Sequence, residues 1–358
     1  MRRVILFGPF PPPYGGVSVY VATLYEALRE RGVPCERKVA RQEDNRGDDP
    51  VLPRFRSVLR HFSHLRAGDI CIDSSSFFLE YRSGLAPLGW LLLKRTARFR
   101  WVKIIHDSTL PLRYPTFGLF RRWLAGRLVE AMDEIVVVSE ELGGWLAAMF
   151  RVQGKVRVIP GLLPLPKPER SGELPEGIAD LLRTREKWVC SVGVFLESYG
   201  FLHIARAVEE VRRVTGRDIG LLLVDGGYVL EDVGAYKSSV LDGREWAVPI
   251  ESIPRGQVMA LFRRCAVSVR AVSHESYGLS RVESLLCGTP VVATPVGETR
   301  GMLLCDYGNI PCLVRKILEA LERGAGPEAR VWAERFEQEA EANLRSLLET
   351  VVPEVGSA

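Results

Sequence analysis

Two glutamates stand eight residues apart around a glycine in the run Glu275-Ser-Tyr-Gly-Leu-Ser-Arg-Val-Glu283. These residue types suit a ligand rich in hydroxyls and phosphate. Gly278 lets backbone amides approach a ligand closely. A helix opening near Leu279 or Ser280 would present free N–H groups and the positive end of its dipole, which suits a diphosphate. Glu275 before that helix, and Glu283 on its first turn, can accept hydrogen bonds from sugar or ribose hydroxyls. Arg270 and Arg281 flank the loop, and arginines beside a helix N-terminus make an anion site. The same spacing also fits an ordinary loop-to-helix turn in which Glu283 is only a helix-start charge.

Other chemistries find little support. The histidines (61, 64, 106, 203, 274) lack metal spacing apart from His61 and His64, which lie three apart on a basic helix and read as surface residues. No Asp-x-Asp pair follows a strand, so no metal site is expected. No Gly-x-Gly-x-x-Gly follows the first strand, which disfavours a dehydrogenase. The seven cysteines are scattered, without Cys-x-x-Cys, and are expected to be free thiols in a reducing compartment.

The elements that must position the loop follow from the apolar pattern. Val4–Phe7 is a short apolar run, followed by the breaker-rich turn Gly8-Pro-Phe-Pro-Pro-Pro-Tyr-Gly-Gly16. Val17, Tyr20, Val21, Leu24 and Leu28 then recur at helical spacing, and Gly32 closes that helix. Strand-like runs at 69–72, 101–105, 134–138 and 156–159 continue the alternation. A proline- and glycine-rich stretch, 161–177, reads as a linker. Beyond it a second series begins, with strands at 188–192, 219–224, 247–248, 266–269 and 290–293. Strands alternating with helices predict α/β domains with parallel sheets, doubly wound and covered on both faces. We therefore expect two Rossmann-like domains facing a cleft, residues 1–165 and 166–326, with residues 327–358 as an appended C-terminal helix that packs back toward the first. Such folds bind ligands at the carboxyl edges of their sheets.

Glu275 and Glu283, followed by Gly288-Thr-Pro-Val-Val-Ala-Thr294, resemble the donor signature of retaining GT-B glycosyltransferases of family 4, the group 1 transferases. Most of the chain shares the likeness. Tyr14-Gly-Gly-Val is similar to the family's acceptor-side glycine loop, Ile105-His-Asp107 to the region of its N-domain histidine, and Val224-Asp-Gly-Gly227 to its strand-end glycine turn. The resemblance implies a sugar moved from a nucleotide diphosphate with retention of configuration. It implies that Glu283 holds the donor ribose, and that Glu275, with Ser276, Tyr277, Gly278, Leu279 and Ser280, holds the sugar and diphosphate. His106 would contact the donor sugar near the reacting carbon, and Gly15 and Gly16 would close on the phosphates. The implied co-substrate is a nucleotide-diphosphate sugar, UDP-linked rather than GDP-linked, with no other cofactor and no metal.

The chain departs from that pattern at the phosphates. The family carries an Arg and then a Lys after the first strand of its second domain; here Val194 or Phe195 and Tyr199 stand there. Neutral side chains cannot make charge-assisted bonds to an oxyanion. Either Arg270 and Arg281 supply the missing charge, or the site is degenerate and the protein is a catalytically silent binder of nucleotide or of an active transferase.

Net charge is +4, yet between Arg54 and Arg127 there are 14 Lys/Arg against 4 Asp/Glu. Such an excess fits an anionic partner or a solvated face. Three basic, aromatic stretches lie in this half: Arg54–Arg66, Trp90–Trp101, and Phe120, Trp123, Leu124 and Leu128 beside Arg121 and Arg122. At least two of them are expected to pack on the sheet. The remaining basic, aromatic-edged face would rest on anionic lipid and admit a lipid-linked glycan acceptor. No recognition motif for nucleic acid accompanies the charge. The start lacks a signal h-region, and no apolar stretch approaches the ~20 residues of a membrane span. A cytoplasmic protein, peripheral on the inner membrane face, is the expectation.

Overall fold

The computed structural model describes residues 2–39, 58–59, 62–75, 86–164, 173–227, 233–324 and 326–352. Arg54, Phe55, Arg56, Arg60 and His61 lie outside the described residues. The backbone forms two compact units. One comprises Met1–Phe10, Tyr20–Leu163 and Glu341–Ala358, the other Pro11–Val19 and Pro164–Ala340.

The first unit is built on β1 (Val4–Gly8), β2 (Cys35–Val39), β3 (Ile70–Asp73), β4 (Arg100–Ile105), β5 (Glu134–Val137) and β6 (Val156–Val158). All pair in parallel, in the order β2-β1-β3-β4-β5-β6. Ile5, Cys71, Trp101, Ile135 and Val137 meet Trp90, Leu128 and Leu146 from the helices in one core. Val4, Leu6, Ile70, Ile72, Val102 and Ile104, at the alternate positions, are buried as well. Burial on both faces is why these strands read as continuous apolar runs. β2 escaped that reading because it is an edge strand carrying Glu36, Arg37 and Lys38, and charge on an edge discourages further pairing.

The second unit repeats the plan with β7 (Lys187–Gly193), β8 (Ile219–Asp225), β9 (Ala247–Ile250), β10 (Val267–Arg270), β11 (Val291–Ala293) and β12 (Leu303–Leu304). The order is β12-β11-β10-β7-β8-β9, all parallel. Leu221 and Leu223 enter one core and Leu222 and Val224 the opposite one, so helices cover both faces. This is the doubly wound architecture expected from the alternation.

Helix Pro327–Val351 contributes to both units. In its first part Glu339 pairs with Arg300, whose guanidinium also lies over Trp332 and Phe336 at 4.8 and 4.9 Å. In its last part Asn343 donates to the Leu162 carbonyl, Thr350 accepts from Arg100, and Leu347 and Val351 are buried. Among the described residues no helix is long and apolar enough to cross a membrane.

The expectation of seven free thiols is corrected at one place. Cys305, just after β12, and Cys312, in the first turn of helix Ile310–Arg323, form a disulfide with Cα atoms 5.8 Å apart. The chain reversal that brings them together is a tertiary feature without a local cysteine motif. Cys35, Cys71, Cys190, Cys265 and Cys287 are free.

Candidate functional site

In an open α/β sheet, ligands bind beyond the carboxyl ends of the two strands where the strand order reverses. In the second unit those strands are β7 and β10. β7 ends at Gly193, and the chain turns through Glu197–Tyr199 to Gly200, whose φ is +65°. A Cβ on Gly200 would sit 2.0 Å from the carbonyl oxygen of Ala271, the first residue after β10. The Ser273 amide donates to the Ser198 carbonyl at 2.9 Å. The turn after β7 and the loop after β10 are therefore joined backbone to backbone.

Arg270 and Glu275 form the charged centre of this junction. Arg270 Nε and Nη2 donate to Glu275 Oε2 at 3.0 and 2.7 Å, Nη1 donates to the Val192 carbonyl, and the guanidinium lies 4.9 Å over the Tyr199 ring. Burial alone would raise the Glu275 pKa. Arg270, then Arg281 and the Ser276 amide, more than offset it and hold the carboxyl below its ordinary value. Burial also opposes the Arg270 charge, but Glu275 and Tyr199 outweigh it and raise the guanidinium's pKa. The pair is ionised at neutral pH. Tyr199, read from the sequence as a lost charge, is here the surface on which Arg270 lies.

Gly278 caps helix Leu279–Leu286 with φ +89°, and a Cβ there would meet Arg281 Nε at 2.7 Å. Arg281 is fully buried. Its Nη1 donates to the carbonyls of Val296, Glu298 and Thr294 at 2.5, 3.1 and 3.3 Å. Nε and Nη2 have no partner among the described residues. Burial lowers its pKa to about 10. Nη1 of Arg281 is thus committed to backbone carbonyls, while the other two guanidinium nitrogens are not. Through Nη1 it ties segment 294–298 beneath the Gly278 turn. The same segment returns a bond to the loop, Glu298 N–H to the Tyr277 carbonyl at 2.8 Å. The Tyr277 hydroxyl is buried without a partner among the described residues. Leu279 and Ser280 are half-buried at the helix start, as is Ser276 before it.

Glu283 falls on the second turn of that helix rather than the first, and is buried. Arg255 Nε, at the start of helix Arg255–Phe262, donates to Glu283 Oε1 at 2.6 Å. Burial raises the Glu283 pKa more than Arg255 lowers it. Arg255 was missed in the sequence; Pro254-Arg255-Gly256 at a helix start was its only signal. Phe195 is a core residue, edge-on to Phe201 at 5.0 Å.

Gly227, with φ +77°, follows Gly226, whose amide donates to the Gly193 carbonyl at 2.7 Å. A Cβ on Gly227 would lie 2.7 Å from Ser252 and 3.7 Å from Pro13. The glycine loop thus approaches the Gly227 turn within this unit. Its Gly15 amide donates to Ser18 Oγ at 2.9 Å, and Gly16 opens helix Gly16–Glu30 with open space where a Cβ would point.

His106 belongs to the first unit, just after β4. Its Nε2 lies 2.8 Å from Ser74 Oγ, and Tyr20 packs edge-on at 4.7 Å. The Tyr20 hydroxyl is buried without a partner among the described residues. Burial, helped by Lys103, lowers the His106 pKa to about 3, so the imidazole is neutral at pH 7. Lys103 and Asp73 form a fully buried ion pair at 3.0 Å, with Ser75 bonded to both. A lysine inside the apolar strand Trp101-Val-Lys-Ile-Ile105 was the sequence signal for this pair. Among the described residues no group of His, Cys, Asp and Glu could hold a metal ion.

Residues 178–334 match the sequence profile "Glycosyl transferases group 1". No curated protein matches the chain. Among solved structures, sucrose-phosphate synthase from Thermosynechococcus elongatus aligns with TM-score 0.68 at 17% identity, covering 100% of this chain and 98% of that one. Anabaena HepE, in complex with UDP and glucose, aligns with TM-score 0.70 at 15% identity over 98% and 99%. The UDP-forming α,α-trehalose-phosphate synthase from Burkholderia vietnamiensis aligns with TM-score 0.71 at 15% identity over 100% and 99%. The chain therefore has the GT-B fold, and most of its second unit is similar to the glycosyl transferases group 1 profile.

Proposed function

We propose that the protein is a retaining, metal-independent glycosyltransferase of family 4. It would move a sugar from a nucleotide-diphosphate donor to a cell-envelope or exopolysaccharide glycan, lipid-linked or free. The observation that carries this reading is the ionised Arg270–Glu275 pair, fixed where β7 and β10 end and followed at once by the Gly278 helix start. A carboxylate held in place beside free helix amides suits a donor with sugar hydroxyls on one side and a diphosphate on the other. That HepE was crystallised with UDP and glucose, and that the trehalose-phosphate synthase is UDP-forming, supports a UDP-sugar over a GDP-sugar.

In this reading Glu283, steadied by Arg255, accepts from the ribose, and Glu275 accepts from the donor sugar. The amides around Gly278–Ser280 face the diphosphate, with Gly15 and Gly16 closing from their loop and Gly227 leaving room for the ligand's approach. With Arg281 enclosed, Arg270 is the one guanidinium of the predicted pair left at the loop's edge. His106, which the resemblance assigns to the donor sugar, is neutral and held by Ser74, and so would add no charge there. Stabilisation of the departing diphosphate by oriented amides then outweighs any need for a general base.

One observation favours a second reading, a catalytically silent nucleotide binder. Arg281 is buried and Arg270 is neutralised by Glu275, so little net positive charge reaches the phosphates. NMR of a UDP-sugar incubated with the protein and EDTA separates the two. With a small alcohol as acceptor, the transferase releases UDP and forms a glycoside whose anomeric configuration is that of the donor. An inverted product would remove the retaining assignment, and nucleotide binding without turnover would select the silent reading.

A further inference from the structure

Four apolar side chains between residues 112 and 123 of the first unit stand in water: Leu119 is 85% exposed, Leu112 75%, Phe120 56% and Trp123 55%. Three of them lie on helix Leu119–Ala131, whose inner face (Leu124, Ala125, Leu128 and Val129) is buried in the core. Packing is complete without the outer face. Phe120 and Trp123 stack on each other there, ring centres 5.9 Å apart, whereas the described aromatic rings of the other two basic stretches are buried. Phe62, Leu65, Trp90 and Trp101 from those stretches are all core residues.

The charge around this knuckle has one sign. From Ser108 to Val129 there are four arginines and no Asp or Glu. Arg113 and Arg127, toward the ends, pair with Asp107 and Glu130 just outside the segment. The two in the middle are not neutralised. Arg122 bonds only backbone carbonyls, those of Phe117 and Pro115, and lies over the Tyr114 ring. Arg121 has no partner among the described residues.

We propose that this knuckle docks the protein on an anionic lipid bilayer. Leu119, Phe120 and Trp123 enter the boundary between headgroups and acyl chains, and Arg121 and Arg122 meet lipid phosphates. Aromatic and leucine side chains beside uncompensated arginines are the composition of interfacial helices. A second copy of the chain is the poorer occupant, because a two-fold contact would set the same arginines against each other.

Flotation with vesicles tests this without any sugar donor, so its result is independent of the transferase reading. Wild type should float with phosphatidylcholine vesicles carrying roughly one phosphatidylglycerol in three, and stay behind with phosphatidylcholine alone. Recovery should fall with added salt. Phe120→Ser with Trp123→Ser should lower partitioning by about tenfold or more. Arg121→Gln with Arg122→Gln should remove the preference for anionic vesicles. Circular dichroism checks that the variants fold, and Leu119→Ser alone repeats the test if a double variant does not. Failure of wild type to float, unchanged recovery of folded variants, or a dimer that the Phe120/Trp123 variant dissociates would each overturn the proposal.

Discussion

Gly200→Ala and Gly216→Ala form a matched pair of perturbations. Both glycines have φ +65°, with ψ of 19° and 6°, and they bracket the same helix, Phe201–Thr215. Their surroundings differ. A Cβ on Gly216 meets nothing within 4 Å, whereas one on Gly200 lies 2.0 Å from the Ala271 carbonyl oxygen. The left-handed backbone alone costs a residue with a Cβ roughly 1–2 kcal/mol. That is the whole expected loss for Gly216→Ala. At Gly200 the clash forces two backbone segments apart by more than an ångström, adding roughly 2–3 kcal/mol. Urea unfolding followed by circular dichroism and tryptophan fluorescence should therefore place the Gly200→Ala midpoint well below that of Gly216→Ala. Displacing the turn also moves Tyr199 from under Arg270, so UDP affinity should fall in the first variant and hold in the second. Equal midpoints would refute the close approach of the two loops, and equal midpoints with equal affinities would detach the turn from the site.

Three further outcomes are expected. The His106 pKa is about 3 in the folded protein against an ordinary 6.5, so below pH 6.5 the unfolded chain binds the extra proton and stability falls. Between pH 7 and 4 the melting temperature of wild type should drop more than that of His106→Asn, by an amount worth roughly 2–4 kcal/mol for a half-buried group. Parallel pH profiles would contradict the neutral imidazole. Lys103→Met strands a buried carboxylate at Asp73 and should cost roughly 3–5 kcal/mol in unfolding free energy, most of it recovered by adding Asp73→Leu. If the double variant is no more stable than the single, Lys103 and Asp73 are not an energetic unit. Arg255→Ala frees buried Glu283 from its partner and should weaken UDP binding about tenfold, and calorimetric affinity equal to wild type would separate Arg255 from the site.

The sheets were legible because their strands are buried on both faces, so Ile219-Gly-Leu-Leu-Leu-Val224 and Trp101–Ile105 announce themselves as apolar runs. Strand β2 was not, because an edge strand is free to be charged. The turn at Gly278 was legible from glycine before a helix. The fate of its arginines was not, since composition places Arg270 and Arg281 near the loop without saying which way each points. The structure sends one to Glu275 and the other beneath the turn. Tyr199 was read as the loss of a charge. It is also the face on which Arg270 rests, a relation visible only once β7 and β10 are neighbours. Cys305 and Cys312 were missed for a similar reason, because the reversal between them depends on β12 joining the sheet.

Calorimetric titration with UDP, GDP and ADP is the direct test of a nucleotide-sugar donor site around Glu275–Glu283. Saturable one-to-one binding, tightest for UDP, is expected. Glu283→Ala should weaken it by about tenfold or more, while Arg281→Ala should act mainly through lost stability. Absence of binding to all three nucleotides by the folded wild-type protein would contradict it.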